Sequence, residues 1–344
     1  VSGRLDLRRG VVVAVDPLTV EIDGERRRAW ADELLLGEMC EGDEVVVNAA
    51  ALDLGLGSGG FDVVHVNLTR DLGGGVEGDA HVMKLNYSSL QHPVDPVESE
   101  RALASHARGR SVPVVVLPLH GHLAPAAWAA AQARPGIRVG YVQTAGGALP
   151  GSLSRDVAQL RDLGLLCGHI TAAPTYGGEH EALSTVGAID AAASALGWDA
   201  ILVGPGPGII GSDTAYGHGG MAALDGAHAS LSLKLPTVVS PRLSSADPRE
   251  RHRGLSHHTA TVLDLLLAPV TVAIPEGAGE IASQVEAASA GRHRLAPAPV
   301  DLDGYESSGL PTTTMGRKLR EDSLFFEAPL AAGTLLANLR RVAP

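Results

Sequence analysis

The sequence predicts an α/β protein whose three-layer, mostly parallel sheet is preceded by a small antiparallel β-barrel-like domain. Three observations carry this. From about residue 98, short apolar runs without polar alternation take turns with segments of helical spacing, in units of about 30 residues. Before residue 90, alternating β-rich runs are punctuated by Asp16-Pro17 and Asp23-Gly24. The stretch Gly204–Gly220, GPGPGIIGSDTAYGHGG, lies between the apolar run DAILVG and the helically spaced MAALDGAHASLSLKL. That order of strand, glycine-rich loop and helix is Rossmann-like, and puts the loop at the carboxyl edge of the sheet, where such folds keep ligand sites.

The 344 residues suffice for a large and a small domain, each with its own core. The expected division is an all-β domain over 1–90, with the tail either joining the second domain or packing back on the first, and an α/β domain over 98–344. A net charge of -12 argues against nucleic acid or an anionic membrane as partner. Of 27 basic residues only Lys84, Lys234 and Lys318 are lysines, and the arginines are dispersed. Cys40 and Cys167 make neither a disulfide framework nor a thiolate zinc cluster. With no long apolar run and no leader-like start, the expected location is the cytoplasm. A homodimer is the base expectation for assembly.

In the first domain, Asp23-Gly24 is a hairpin turn, both residues tolerating positive φ. Gly55, Gly57 and Gly60 formally match G-x-G-x-x-G, but FDVVHVNL follows where a helix is needed, so a loop is expected and no nicotinamide site. Residues 80–97 read as the hand-over between domains, either a hydrogen-bonded linker or an arm over the second domain's site.

In the second domain the expected strands are Val112–Leu117, Ile137–Val142, Gly168–Thr171, Ala200–Val203, Thr237–Ser240 and Val270–Ile274. Helices are expected near 98–108, 123–133, 154–164, 179–196, 214–232 and 256–267. The phrases KLNYSSLQHPVDPVE, PLHGHLAP, YVQTAGGALPGSLSRDVAQL, TAAPTYGGEHEALSTVGAIDAA, SSADPRERHRGLSHHTATVLD and TTTMGR resemble those of a bacterial family known as domain of unknown function 3866. The resemblance runs nearly the full length and implies one functional unit, with no activity attached.

Strand ends supply the candidate site. His120-Gly-His122 on an extended segment would point both imidazoles to one side, as candidate ligands of a divalent metal that opens a position for water; acid–base or plain structural roles are the alternatives. This H-x-H also resembles the amidohydrolase superfamily, but six strands and no lysine at a central strand end speak against it. Glu179 and His180, read at the start of a helix, and Asp213 and His218 in the long loop are the candidates for proton transfer, with helix capping the other reading for Glu179. Thr144, Gly206, Gly208, Gly211, Arg249, Arg253, His257 and His258 are the candidates for binding an anion, the glycines through backbone N–H groups and the arginines through bidentate contacts. No G-x-x-x-x-G-K-[ST] is present, so no nucleoside triphosphate loop of that kind is expected.

Two functions fit these residues. One is an enzyme on a small anionic metabolite, in its hydrolytic form assisted by a metal. The other is a non-catalytic ligand-binding or regulatory protein.

Overall fold

The computed structural model describes residues 3–56, 59–70, 80–98 and 111–339. The chain divides into two compact units, Val1–Pro93 and Val94–Pro344.

In the first unit, β1 (Leu7–Val15), β2 (Leu18–Ile22), β3 (Glu25–Trp30), β4 (Glu44–Asn48) and β5 (Asp62–Asn67) close into a barrel in the order β1-β2-β3-β5-β4. β4 returns beside β1, which is the Greek-key arrangement. Short helices α1 (Glu33–Leu36) and α2 (Ala50–Asp53) bridge the longer connections. The β2–β3 hairpin turns at Asp23-Gly24, both at positive φ (52° and 82°), as its sequence predicts. The expectation of an antiparallel barrel is corrected at one seam, because β3 and β5 run parallel. A buried ion pair spans that seam: Arg27 Nε on β3 donates to Asp62 on β5 at 2.7 Å, and its Nη2 reaches Asp53 at 2.7 Å. Val12, Val20, Ile22, Val45, Val47 and Val64 fill the interior. Gly55 and Gly60 have positive φ in the loop before β5, while residues 57–58 of that motif lie outside the described residues. A ribbon of β6 (Val82–Lys84) and β7 (His92–Val94) follows, its turn held by Ser88 and Gln91.

The second unit is built on one sheet. Its elements are β8 (Val114–Val116), α3 (Leu123–Ala133), β9 (Val139–Thr144), α4 (Arg155–Asp162), β10 (His169–Ala172), β11 (His180–Ala182), α5 (Thr185–Ser194), β12 (Ala200–Pro205), α6 (Ala222–Ser232) and β13 (Thr237–Val239). After these come β14 (Leu243–Ser244), β15 (Gly254–Leu255), α7 (His257–Leu265), β16 (Thr271–Pro275), α8 (Gly279–Ser289), β17 (Arg294–Ala298), α9 (Leu302–Glu306), β18 (Thr313–Thr314), β19 (Arg317–Lys318) and α10 (Ser323–Asn338). The sheet has eight strands in the order β11-β10-β9-β12-β8-β13-β16-β17, and every pairing is parallel.

All six expected strands are present, and two more join them. β17 comes from the tail, which therefore extends the sheet and supplies a terminal helix within this unit. β11 and the loop before it replace the first third of the helix expected over 179–196; that helix begins at Ser184, whose side chain caps the Gly187 N–H. The helix expected from 214 starts only at Ala222, and the one expected near 98–108 falls largely outside the described residues.

Alternation along the buried strands makes two cores. Val114 and Val116 join Val142, Ile170, Ile201 and Val203 under α5, α6, α7 and α8. Val115 and Leu117 face the other way, with Tyr141 and Leu202, under α3, α4 and α10. α10 lies tightly on α3: a Cβ at Gly333 would come 2.1 Å from the Ala126 carbonyl oxygen. Backbone cannot yield as a flexible side chain does, so Gly333→Ala is expected to destabilise by about 1–3 kcal/mol despite its better helix propensity. Urea denaturation followed by circular dichroism measures this; an unchanged or raised midpoint would refute the close approach.

Candidate functional site

The chain leaves β8 toward β9 on one side of the sheet and leaves β12 toward β13 on the other. The helices that follow, α3 and α6, cover opposite faces. Diverging connections open a crevice at the carboxyl edge, the usual ligand site of an open parallel sheet.

The loop after β12 is pressed onto the loop after β9. Ala148 N–H donates to the Pro207 carbonyl at 2.7 Å. A Cβ at Gly219 would meet the Gly146 carbonyl at 1.9 Å, and one at Gly147 the Gly206 carbonyl at 2.1 Å. Within the loop, Gly211 and His218 form an antiparallel bridge. Much of the glycine content thus serves backbone packing. Gly206 sits in the loop-to-loop contact, and Gly208 is an exposed turn residue with φ of 72°. Gly211, with Gly146, Gly147, Ser212, Gly217 and His218, lines an open cleft of about 530 Å³. Thr144 is buried at the end of β9 with its hydroxyl on the Ala145 carbonyl.

Two expectations fail on local geometry. His120–His122 is a single 3-10 turn, not an extended segment, so its imidazoles go to different partners. His120 Nε2 meets Ser154 Oγ at 2.8 Å, while His122 Nδ1 meets Ser240 Oγ at 3.0 Å. They do not form a common ligand pair. Glu179 lies beside the start of β10, at the opposite edge of the sheet, where it takes the His169 N–H at 3.1 Å and pairs with Arg161. His180 is the first residue of β11. Both are remote from the strand carboxyl ends for the same reason: a short connection returns the chain to the sheet's amino edge before β11. Asp213 is exposed and pairs with Arg251, joining the long loop to the 249–253 segment.

Other expected residues do meet. His218 stacks on His258 with ring centroids 3.7 Å apart and planes 9° from parallel. His257 lies 4.4 Å from His258 and 5.6 Å from His218, and His252 is 4.9 Å from both His257 and His258. One nitrogen from each of His218, His257 and His258 lies within 4.8 Å of the other two. Among the described residues this is the one histidine, cysteine or carboxylate group so arranged. Burial, with neighbouring positive charge, keeps the cluster neutral. His258 is pushed down to about 2 by burial, His218 and Arg242, and His252 to about 3 by burial, Arg242 and Arg249. His218 and His257 are lowered in the same sense, first by burial.

Beside the cluster lies an arginine network. Asp247, fully buried, accepts a bidentate contact from Arg249 (both 2.9 Å) and lies 3.6 Å from Arg242 and from Arg317. Arg253 donates to the Asp247 backbone carbonyl at 3.0 Å. Asp322, also buried, accepts from Arg317 Nε at 2.9 Å and from Ser244 Oγ and the Ser245 N–H at 2.7 Å each. Burial would raise the Asp247 carboxyl, but the Arg249 side-chain and backbone hydrogen bonds override it and hold it well below the usual carboxylate range. Arg242, 5% exposed, is lowered to about 10 by burial and by Arg249.

Arg317, Asp322 and Met315 are site residues that sequence reasoning missed. They lie about 70 residues beyond Asp247: Met315 and Arg317 enter through the hairpin of β18 and β19, whose turn is Met315-Gly316 with φ of 46° and 79°, and Asp322 immediately precedes α10. Met315 Sδ is 3.8 Å from both Arg242 and Arg249. A positive φ at a methionine that covers two arginines was the available structural signal; in sequence, only the Met-Gly turn within TTTMGR hinted at it.

A family profile described as "Protein of unknown function (DUF3866)" matches residues 28–333, and the chain belongs to that family. No curated protein and no solved structure matches it.

Two predictions follow from the burial of these groups. His122 and His169 are buried and held near 3, so the unfolded chain binds protons that the native one does not once pH drops below the ordinary histidine value of about 6.5. Their contribution is therefore full above that pH and declines as pH falls toward about 3. Urea midpoints should drop between about pH 7 and about pH 4.5, with up to about 1.4 kcal/mol per pH unit for each such histidine; a flat profile would contradict their neutral burial. Separately, Asp322→Asn removes the carboxylate hydrogen-bonded to Arg317, leaving it only the more distant Asp247, and should cost about 3–5 kcal/mol in thermal or urea unfolding.

Proposed function

We propose that the carboxyl edge of the second unit is the active site of an enzyme that hydrolyses a small anionic substrate. The observation that carries this is the charge imbalance beside the neutral histidines. Among the described residues Arg242, Arg249 and Arg317 share two carboxylates, Asp247 and Asp322, and Arg253 rests on a carbonyl. Arg317 Nη2 is buried with no hydrogen-bond partner among the described residues. Arg242 and Arg317 are largely out of solvent while Arg249 and Arg253 are exposed at the rim; guanidinium so placed favours an anion, and planar forks suit phosphate or carboxylate oxygens.

The adjacent imidazoles supply the second requirement: uncharged at neutral pH, they leave lone pairs that can hold and orient a water. In the hydrolytic step, water oxygen bonds to the electrophilic centre, the bond to the leaving oxygen breaks, and the proton released from water ends on that leaving group. The arginines hold the anionic group and offset negative charge as it develops. His218 borders the cleft through which substrate reaches them. Among the described residues no helix is long and apolar enough to cross a membrane.

The test is calorimetric titration with phosphate and malonate, followed by a hydrolysis screen over phosphate and carboxylate esters. The parent protein should bind at least one anion. Arg317→Lys, which keeps charge and loses the fork, should weaken that binding at least about tenfold and lower kcat/KM for the best ester by a similar or larger factor. Absence of anion binding in the folded parent protein would overturn the proposal.

A further inference from the structure

We infer that His218, His257 and His258 form a binding site for a divalent transition metal of the zinc type, with an open coordination position toward the cleft. The inference rests on the proposed active site and names the group that would activate its water. It replaces the His120–His122 pair, whose rings diverge, with a trio drawn from the loop after β12 and the first turn of α7.

Hydrogen bonding fixes where the lone pairs are. His218 Nε2 lies 3.0 Å from the Ala215 carbonyl oxygen, which can only accept. Nε2 therefore carries the proton, and Nδ1 carries the lone pair. That Nδ1 is buried and has no hydrogen-bond partner among the described residues, on a side chain only 6% exposed. An imidazole N–H given to a carbonyl, with the other nitrogen left bare, is the arrangement that orients metal-bound histidines. His258 Nδ1 is 3.1 Å from Arg242 Nη1, which can only donate, so its lone pair too is on Nδ1. His257 adds Nε2, also buried and without a partner among the described residues.

The space is there as well. A Cβ at Gly220 would stand 3.0 Å from His218 Nδ1 and 3.3 Å from His258 Nδ1, so the space that a side chain would fill borders both nitrogens. Zinc binds histidine nitrogen at about 2.0–2.1 Å, and three histidines with one open position make a hydrolytic zinc site. The stacked rings bring the two nitrogens side by side; a turn about the broad χ2 torsion of either ring converges them on an ion. Arg242 would then leave His258 Nδ1, since an ion and a guanidinium cannot share one lone pair. That release frees its fork for the anionic substrate, which links the metal to the arginine network.

The test uses the full chain made without a polyhistidine tag, stripped with chelator and titrated with cobalt(II) and zinc(II). One equivalent of cobalt should give the visible absorption of a four-coordinate nitrogen site, displaced by zinc, and zinc should raise the melting temperature. His218→Ala and His258→Ala should each lower affinity on the order of 100-fold. Gly220→Ala, which removes no ligand but fills that space, should weaken binding while His120→Ala leaves it unchanged. A folded parent protein that takes up neither metal overturns the inference, as does stoichiometric binding that survives in the His218→Ala/His258→Ala protein. The two proposals separate cleanly: anion binding without metal uptake sinks only the metal site, whereas metal uptake without anion binding overturns the proposed function and leaves the metal site standing.

Discussion

The second unit depends on one constraint: all eight strands of its sheet run the same way. Parallel neighbours require crossover connections, and those connections must bury both sheet faces. The two apolar cores, one under α5 to α8 and one under α3, α4 and α10, are the direct result. The same constraint gathers the loops that follow the strands at a single edge. Loops after β9, β12 and β13 come from sequence regions near 146, 206–220 and 240–256, yet they share one neighbourhood because their strands are parallel. Where the chain reverses its direction of travel between β8 and β12, the edge opens. Without parallel order there would be no common place for His218 and His258 to meet.

What fills that edge is unusual in its charge. Burying Asp247 and Asp322 would be costly for carboxylates alone, and burying Arg242 would be costly for a guanidinium alone. Together they are tolerable, since each carboxylate accepts several charge-assisted hydrogen bonds. The pairing is not balanced, because guanidiniums outnumber carboxylates; burial first, and that positive charge second, keep the neighbouring imidazoles unprotonated. Electrostatics thus makes two things in one place: a field that favours an anion, and histidines with lone pairs to use. Met315 lies across the two arginines with its backbone in the left-handed region, held there by the two-stranded turn around it.

Much of the fold was legible locally. The helix over 123–133 and the six central strands follow from unbroken apolar runs, and the Asp23-Gly24 hairpin from its turn chemistry. β11 was not legible, because His180-Glu181-Ala182 carries polar side chains on an edge strand and runs into a sequence with helical spacing. β17 was hidden by Pro297, a residue that strands tolerate mainly at an edge, which is where β17 lies. His120 and His122 misled for a backbone reason: their spacing suits a common ligand only if the segment is extended, and it is a 3-10 turn. Glu179 misled because a seven-residue connection carried it back across the sheet. Arg317 and Asp322 could not be found by strand-end reasoning at all, since one arrives on a hairpin outside the eight-stranded sheet and the other at the amino end of α10.

By itself the sequence determined the α/β class, the small β unit before it, and the edge at which polar loops gather. Those are consequences of hydrophobic period and turn residues, which act over a few neighbours along the chain. Only the tertiary structure decided which of the polar residues share a site. It separated His120 from His122, sent Glu179 to the far edge, and brought His218, His257 and His258 beside Arg242 and Arg317. The reason is one of range: periodicity says which face a residue occupies, while lone pairs and charges interact through space across loops whose paths no local pattern fixes.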